Sequence, residues 1–336
     1  VLRMSRFFLL LVSMLSVACA LDVMTFNVWH SAKYVNDGIR KIADHIKATD
    51  PDVVSLQEID KTTVTSLLKL LGNGWSGVAH CNHTVALLTK HRIVGLYEQV
   101  WRSFNVRIYL NGTGEEISFW AVDLPGWNYS PIVLTGKNAI NVHNFEASRI
   151  NHTVDLIEHP EFVRQIKNSH VVPVIVAGCF ETPSHLDWTE AAKELNMGYV
   201  INWPVTRLLN NVAGMTDSYR EVHPDPKLNP GNTWPVYRNP YLLSRPNNTA
   251  HPKDRIDFIF YRGSLIAKSS ETYSGKSLIV DNGTPEYKNN EWPSDHSAVI
   301  TKFERTWQKH ENVPSFYYGK RISLKKMEKC IAPILH

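Results

Sequence analysis

Short apolar runs alternate along the chain with segments whose apolar residues recur at helical spacing, the pattern of layered sheets flanked by helices. Val23–Asn27 reads as a strand. Ile39, Ile42, Ala43 and Ile46 then fall at i, i+3, i+4 and i+7 and predict a helix, with Asp37 placed to cap it. Val53–Gln57 is the next strand, followed by a helix through Val64, Leu67, Leu68 and Leu71 that Gly72 stops. Shorter strands are predicted at Val85–Leu88, Val106–Leu110 and Ile117–Leu124, then a helix at Glu146–Ile157 and a strand at Val171–Gly178. Ser184, just after Pro183, is placed to cap a helix running through Trp188 and Ala192. Asp257–Tyr261 and Ala298–Phe303 are apolar enough for buried strands, while residues 201–253, rich in Pro and Asn, read as surface connections shaping one rim of a site.

The N-terminus breaks this rhythm. Arg3 and Arg6 precede the apolar stretch Phe7–Val17 and the small residues Ala18-Cys19-Ala20, which predicts a signal peptide over residues 1–20. That run is short for a membrane span and no later one is long enough, so the expectation is a secreted monomer with no transmembrane segment. Sequons at Asn82, Asn111, Asn128, Asn151, Asn247 and Asn282 add the expectation of glycosylation. A hydrophobic fraction of 43% in 336 residues is ample for a packed core, and a formal net charge of +4 is too small for a nucleic-acid-coating surface. One domain is expected over residues 21–305, followed by a basic tail, 306–336, that carries Lys320, Arg321, Lys325, Lys326 and Lys329. With Cys19 in the leader, Cys81, Cys179 and Cys330 remain, so at most one internal disulfide forms. Cys81–Cys330 is the first choice because Cys179 ends a strongly apolar strand, although sequence alone leaves the pairing open.

Several apolar strands end in polar residues: Asn27, Gln57-Glu58, Asp123, and Asp295-His296 just before Ala298. Each alone is an ordinary cap or turn residue. Gathered at one sheet edge, they have the chemistry to hold a hard cation through oxygen and to move a proton.

In this arrangement the chain resembles the endonuclease/exonuclease/phosphatase superfamily. The resemblance rests on an ordered set: Met24–His30, Asp52–Glu58, Val174–Trp188, Gly214–Pro226, Gly231–Trp234, Asp254–Phe260 and Trp292–Val299. It implies an α/β fold, a four-layer sandwich of two mixed β-sheets flanked by helices, with a site for a phosphodiester-containing substrate or ligand at one end. By the same resemblance Glu58 is the principal ligand of Mg²⁺ (or Mn²⁺ or Ca²⁺), Asn27 lies beside metal and phosphate, and Asp295 neighbours the metal. His296 would contact phosphate and transfer a proton, and Asp257 would orient it.

Three family positions are substituted. The usual Gly-Asp-Phe-Asn is here Gly178-Cys179-Phe180-Glu181, and the usual Val-His-Leu is Val122-Asp123-Leu124. Asp123 and Glu181 put negative charge where a phosphate would sit, and Cys179 is no carboxylate base. The substitutions imply an ancestral phosphodiesterase whose activity is reduced or lost. The alternative is an active metal-dependent phosphodiesterase with a rewired site that uses Asp123 or Glu181. A third reading makes Cys179 a thiolate nucleophile or a Zn²⁺ ligand beside His296. Trp29, His30, Trp127, Tyr129 and Trp234 are candidates for a stacking rim around the site.

Overall fold

The computed structural model describes residues 20–127, 129–134, 142–237, 253–280, 285–305 and 333–334. Most of the expected leader, the sequons at Asn128, Asn247 and Asn282, Cys330 and the lysines of the tail lie outside the described residues.

In chain order the strands are β1 (Ala20–Asn27), β2 (Val53–Gln57), β3 (Ser76–Ala79), β4 (Val85–Thr89), β5 (Arg92–Val100), β6 (Ser103–Leu110), β7 (Glu115–Asp123), β8 (Val174–Cys179), β9 (Thr216–Asp217), β10 (Asp257–Arg262), β11 (Leu265–Tyr273), β12 (Ala298–Arg305) and β13 (Pro333–Ile334). They form a seven-stranded sheet of order β11-β12-β1-β2-β4-β3-β13 and a six-stranded sheet of order β5-β6-β7-β8-β10-β9. Both sheets are mixed: β1 runs parallel to β2 and β7 parallel to β8, while β12 and β10 are antiparallel to their neighbours.

Alternation along the strands builds the layers. Val23, Val53, Phe119, Ala121, Ile175, Ala177 and Ile259 point into the space between the sheets and form one continuous core. Met24, Phe26, Val54 and Leu56 point the other way, onto Ile42 and Ile46 of helix Gly38–Thr49 and Val64 and Leu67 of helix Lys61–Leu71. Trp120, Val122, Val174 and Val176 likewise cover the outer face of the second sheet against Leu156 and Phe162 of helices Val142–Glu158 and Pro160–Lys167. This is the four-layer sandwich expected.

Several local expectations are corrected. Asp37 stands at the N-cap position, but with left-handed backbone and no capping hydrogen bond; its carboxylate faces Arg40 instead. No helix follows Ser184. Its Oγ accepts from Leu186 N in a turn, while Trp188 packs edge-on against Trp203 and donates to Asp254, leaving only a single 3-10 turn at Glu190–Ala192. The strand expected from Val171 begins at Val174, because Val171 and Val172 close a turn onto Asn168 O. The 201–253 stretch holds more core than its composition suggests: Trp203, Val205, Leu209 and Met215 are buried. Within the tail, Pro333–Ile334 pairs with β3 at the sheet edge.

Candidate active site

The inner face of the sandwich changes character along the strands. Beyond Val23 come Thr25 and Asn27, beyond Val53 come Ser55 and Gln57, and the last inward residues of β7 and β8 are Asp123 and Cys179. Antiparallel β10 begins with Asp257, directly opposite Cys179. Polar pairing seals the transition: Thr25 Oγ1 donates to Gln57 Oε1 and Ser55 Oγ donates across the sheets to Ala177 O. Gly178 permits the β7–β8 contact at this end, since a Cβ there would lie 1.8 Å from Val122 O.

Glu58 leaves β2 with left-handed backbone, φ 56°. Its carboxylate accepts from Asn27 Nδ2 at 3.2 Å and from His30 N at 2.9 Å. Asn27 is itself fixed, its Oδ1 receiving Trp29 N at 2.9 Å. The His30 N–H that reaches Glu58 belongs to a run in which Trp29, His30, Ser31 and Ala32 are all left-handed, φ 44° to 61°, an arrangement costing roughly 1 kcal/mol or more per residue that clusters at functional sites.

His296 Nδ1 lies 2.9 Å from Asp257 Oδ2, and both side chains are buried. Burial opposes the charged ring, but Asp257, then Asp295 and Glu181, raise the pKa of His296 to about 10. Ser294 locks this segment to β1, accepting from His296 N at 3.0 Å and donating to Asn27 O at 2.6 Å. Asp295 accepts from Trp234 Nε1 at 3.2 Å.

Asp123, Cys179 and Glu181 meet the same space. Cys179 is buried, and burial together with Asp257, Glu181 and Asp123 pushes its thiol well above the usual range. A protonated, sealed thiol is poorly suited to nucleophilic attack. Its S–H donates to Glu181 Oε1 at 3.3 Å, and the Cys179, Glu181 and His296 heteroatoms lie within 4.8 Å of one another. Glu181, left-handed at φ 55°, is raised to about 7, first by burial and then by Glu58 and Asp123, against the pull of His296. Asp123 is paired: Arg102 Nη2 donates to its Oδ2 at 2.6 Å and Thr84 Oγ1 to the same oxygen at 3.1 Å. Burial outweighs Arg102 and raises Asp123 to about 6.

Glu58, Asp123, Glu181, Asp295 and His296 line one cavity of about 640 Å³. Asn27, Cys179 and Asp257 stand immediately behind it. Trp29, His30, Trp127 and Trp234 line its rim, joined by Tyr34 and Tyr287; Tyr129 does not, its hydroxyl being spent on buried Asp254. Arg102, Thr84 and Ser294 were not legible as site residues. Arg102 occupies a two-residue turn between β5 and β6, and its only sequence signal is an acid at 123 that needs a cation.

Residues 24–296 match the model of the Endonuclease/Exonuclease/phosphatase family. The chain belongs to that family. It is 33% identical over 296 residues to the uncharacterized protein F14F9.5 of Caenorhabditis elegans, covering 86% of this chain and 92% of that one. The fold matches the human Nocturnin catalytic domain with bound sulfate at TM-score 0.52 and 18% identity, covering 85% of this chain and 95% of that one. It also matches an endonuclease/exonuclease/phosphatase from Bacteroides vulgatus at TM-score 0.54 and 16% identity, covering 86% of this chain and all of that one.

Endonuclease/exonuclease/phosphatase proteins are phosphodiesterase- or nuclease-type enzymes that generally depend on a divalent metal. The donors here fit such an ion in kind: Glu58, 21% exposed with its orientation fixed by two hydrogen bonds, and Asp295, which lines the same cavity, are both hard oxygen donors. Asn27 serves this arrangement by holding Glu58.

Proposed function

We propose that the protein is a divalent-metal-dependent phosphodiester hydrolase in which Glu181 does the work of the carboxylate that Cys179 has displaced. The observation that carries this reading is the convergence of Glu181 on Cys179 and His296, within 4.8 Å. Two residues beyond the lost acid, the left-handed turn at Glu181 folds its carboxylate back over the thiol. Gly126 leaves room for it, since a Cβ there would approach the carboxylate to 3.0 Å.

A base with a pKa of about 7 is matched to neutral solution. Glu181 takes the proton of the attacking water as its oxygen bonds to phosphorus. The leaving oxygen, departing with the electrons of the broken P–O bond, takes a proton from His296 Nε2, while Nδ1 keeps its bond to Asp257. Glu58 and Asp295 would hold a divalent ion, Mg²⁺ by preference, which when bound supplies positive charge beside the phosphoryl oxygens. Export is part of the same proposal: the described sequon residues Asn82, Asn111 and Asn151 are all exposed, which supports glycan attachment.

The test is turnover of bis-(p-nitrophenyl) phosphate and of a single-stranded oligonucleotide with Mg²⁺ or Mn²⁺. Metal-dependent hydrolysis lost in Glu181→Gln and Glu58→Gln is expected. An inactive native chain, with activity appearing in the triple variant Asp123→His, Cys179→Asp, Glu181→Asn, would make it a phosphate-binding relative of the hydrolases.

A further inference from the structure

The lining of the cavity is unbalanced in charge. Glu58, Asp123, Glu181 and Asp295 are carboxylates, and Arg102 is the one lysine or arginine among the lining residues. Among the described residues, an anionic ester entering this space meets one lysine or arginine cation, Arg102, beside the imidazole of His296. How that cation is mounted shows what the Asp at 123 does.

Arg102 is clamped along one edge. Nε donates to Asp123 O at 2.7 Å and Nη2 to Asp123 Oδ2 at 2.6 Å, so a backbone carbonyl and a carboxylate of the same residue hold the guanidinium. Thr84 Oγ1 holds Oδ2 from the other side at 3.1 Å. The Asp123 side chain is 2% exposed and that of Arg102 is 23% exposed. Nη1 donates to no described residue. The guanidinium is thus oriented by a buried anchor while part of it remains open to the cavity, the arrangement that suits a planar fork to phosphoryl oxygens.

We propose that Arg102 is the phosphate-recognition residue of this site and that Asp123 is its positioning residue, together replacing the histidine the family carries at position 123. The proposal deepens the hydrolase reading and rests on it for the identity of the ligand as a phosphate ester. Asp123 does not repel that ester, because its charge is matched by the guanidinium it carries. The donor is moved from the strand end to the β5–β6 turn, where a longer side chain presents a permanent charge.

The experiment measures binding separately from turnover. Metal-loaded wild type, Asp123→Asn, Arg102→Lys and the pair Arg102→Ala/Asp123→Asn are titrated with inorganic phosphate by calorimetry. The paired variant removes both charges, so no buried carboxylate is stranded and the fold is kept. Its phosphate affinity should fall roughly tenfold or more below that of Asp123→Asn, with Arg102→Lys intermediate because it keeps charge and loses the fork. With bis-(p-nitrophenyl) phosphate the loss should fall on KM, with kcat changed by less than about threefold. Combining Arg102→Ala with Asp123→His should recover phosphate binding through the imidazole. Equal phosphate binding by Asp123→Asn and the paired variant overturns the assignment, whatever the turnover. Phosphate binding that depends on Arg102 in a chain without turnover leaves the assignment standing and removes the hydrolase reading.

Discussion

Asp257 and His296 form a buried carboxylate–imidazole pair, Oδ2 to Nδ1 at 2.9 Å, that fixes which ring nitrogen faces the cavity. The pKa of His296, about 10 in the fold, exceeds its ordinary value of 6.5. A raised pKa contributes stability that is complete below the unfolded value and is lost as pH rises through the folded one. In metal-free protein, the melting-temperature gap between wild type and Asp257→Asn should therefore be widest near pH 6 and close as pH approaches 10. In turnover, Asp257→Asn should lower kcat roughly a hundredfold, through the misplaced proton of the ring.

Glu181 sets the acid side of activity. Because its deprotonated form is the base and its pKa is about 7, kcat/KM should rise with pH through about 7, level off, and fall as pH approaches 10, where His296 loses the proton it donates. Glu181→Gln should abolish that rising limb and lower the rate by roughly two to four decades. A limb unmoved by the substitution would assign the base elsewhere.

Metal affinity should reside in Glu58. Calorimetric titration with Mn²⁺ should give binding to wild type that weakens at least roughly tenfold in Glu58→Gln, since an amide keeps the shape and loses the charge. Asn27→Ala should weaken it less, by freeing the Glu58 carboxylate from one of its two donors. Identical titrations for wild type and Glu58→Gln would move the ion to another group.

The tail pairing makes a covalent prediction. Pro333 lies opposite Val78 and Ile334 opposite Gly77 in an antiparallel ladder. In sequence Cys330 lies three residues before Pro333, and Cys81 lies two residues after the end of β3, the strand that Pro333–Ile334 joins. Peptide mapping without reductant should recover Cys81 joined to Cys330 and Cys179 as a thiol. A bridge to Cys179 would displace it from the site wall.

Arg255 is a test of the framework. Its buried guanidinium donates to Asp187 at 2.8 and 3.1 Å and to Asp217 at 2.9 Å. Breaking such a pair from one side costs roughly 3–5 kcal/mol, so Arg255→Ala should lower thermal stability severely. Asp187→Asn, which keeps a hydrogen-bond acceptor, should do so less.

These ion pairs explain which parts of the molecule could be read from sequence. Asp187, Asp217 and Arg255 come from three separate motifs, and they tie the loops of the second sheet together without touching the cavity. Asn27 and Asp257 were legible because each ends or begins a strand with its side chain on the inner face, and Glu58, Asp295 and His296 because they are polar residues just beyond strand ends. Arg102 was not, since a turn residue carries no periodicity and its partner is a chain reversal away. The failed helix after Ser184 has a similar cause: Trp188 gains more from Trp203 and Asp254 than the local capping signal offers. Glu181 reads from sequence as an intruding charge, but its folded-back position depends on a left-handed φ that sequence patterning does not report.

The pairing of β1 with β12 sets an order of events in synthesis. Thr25 lies beside Val299, so β1 acquires its second neighbour only after nearly the whole domain has been made. Closing so long a loop gives high contact order, and such contacts form late and slowly. Asn27 and Glu58 leave the ribosome well before His296 and wait for it. A translation product stopped anywhere before Ser294 lacks both the strand that completes the sheet and the hydroxyl that joins Asn27 to the histidine segment, so partial chains carry no working fraction of the site.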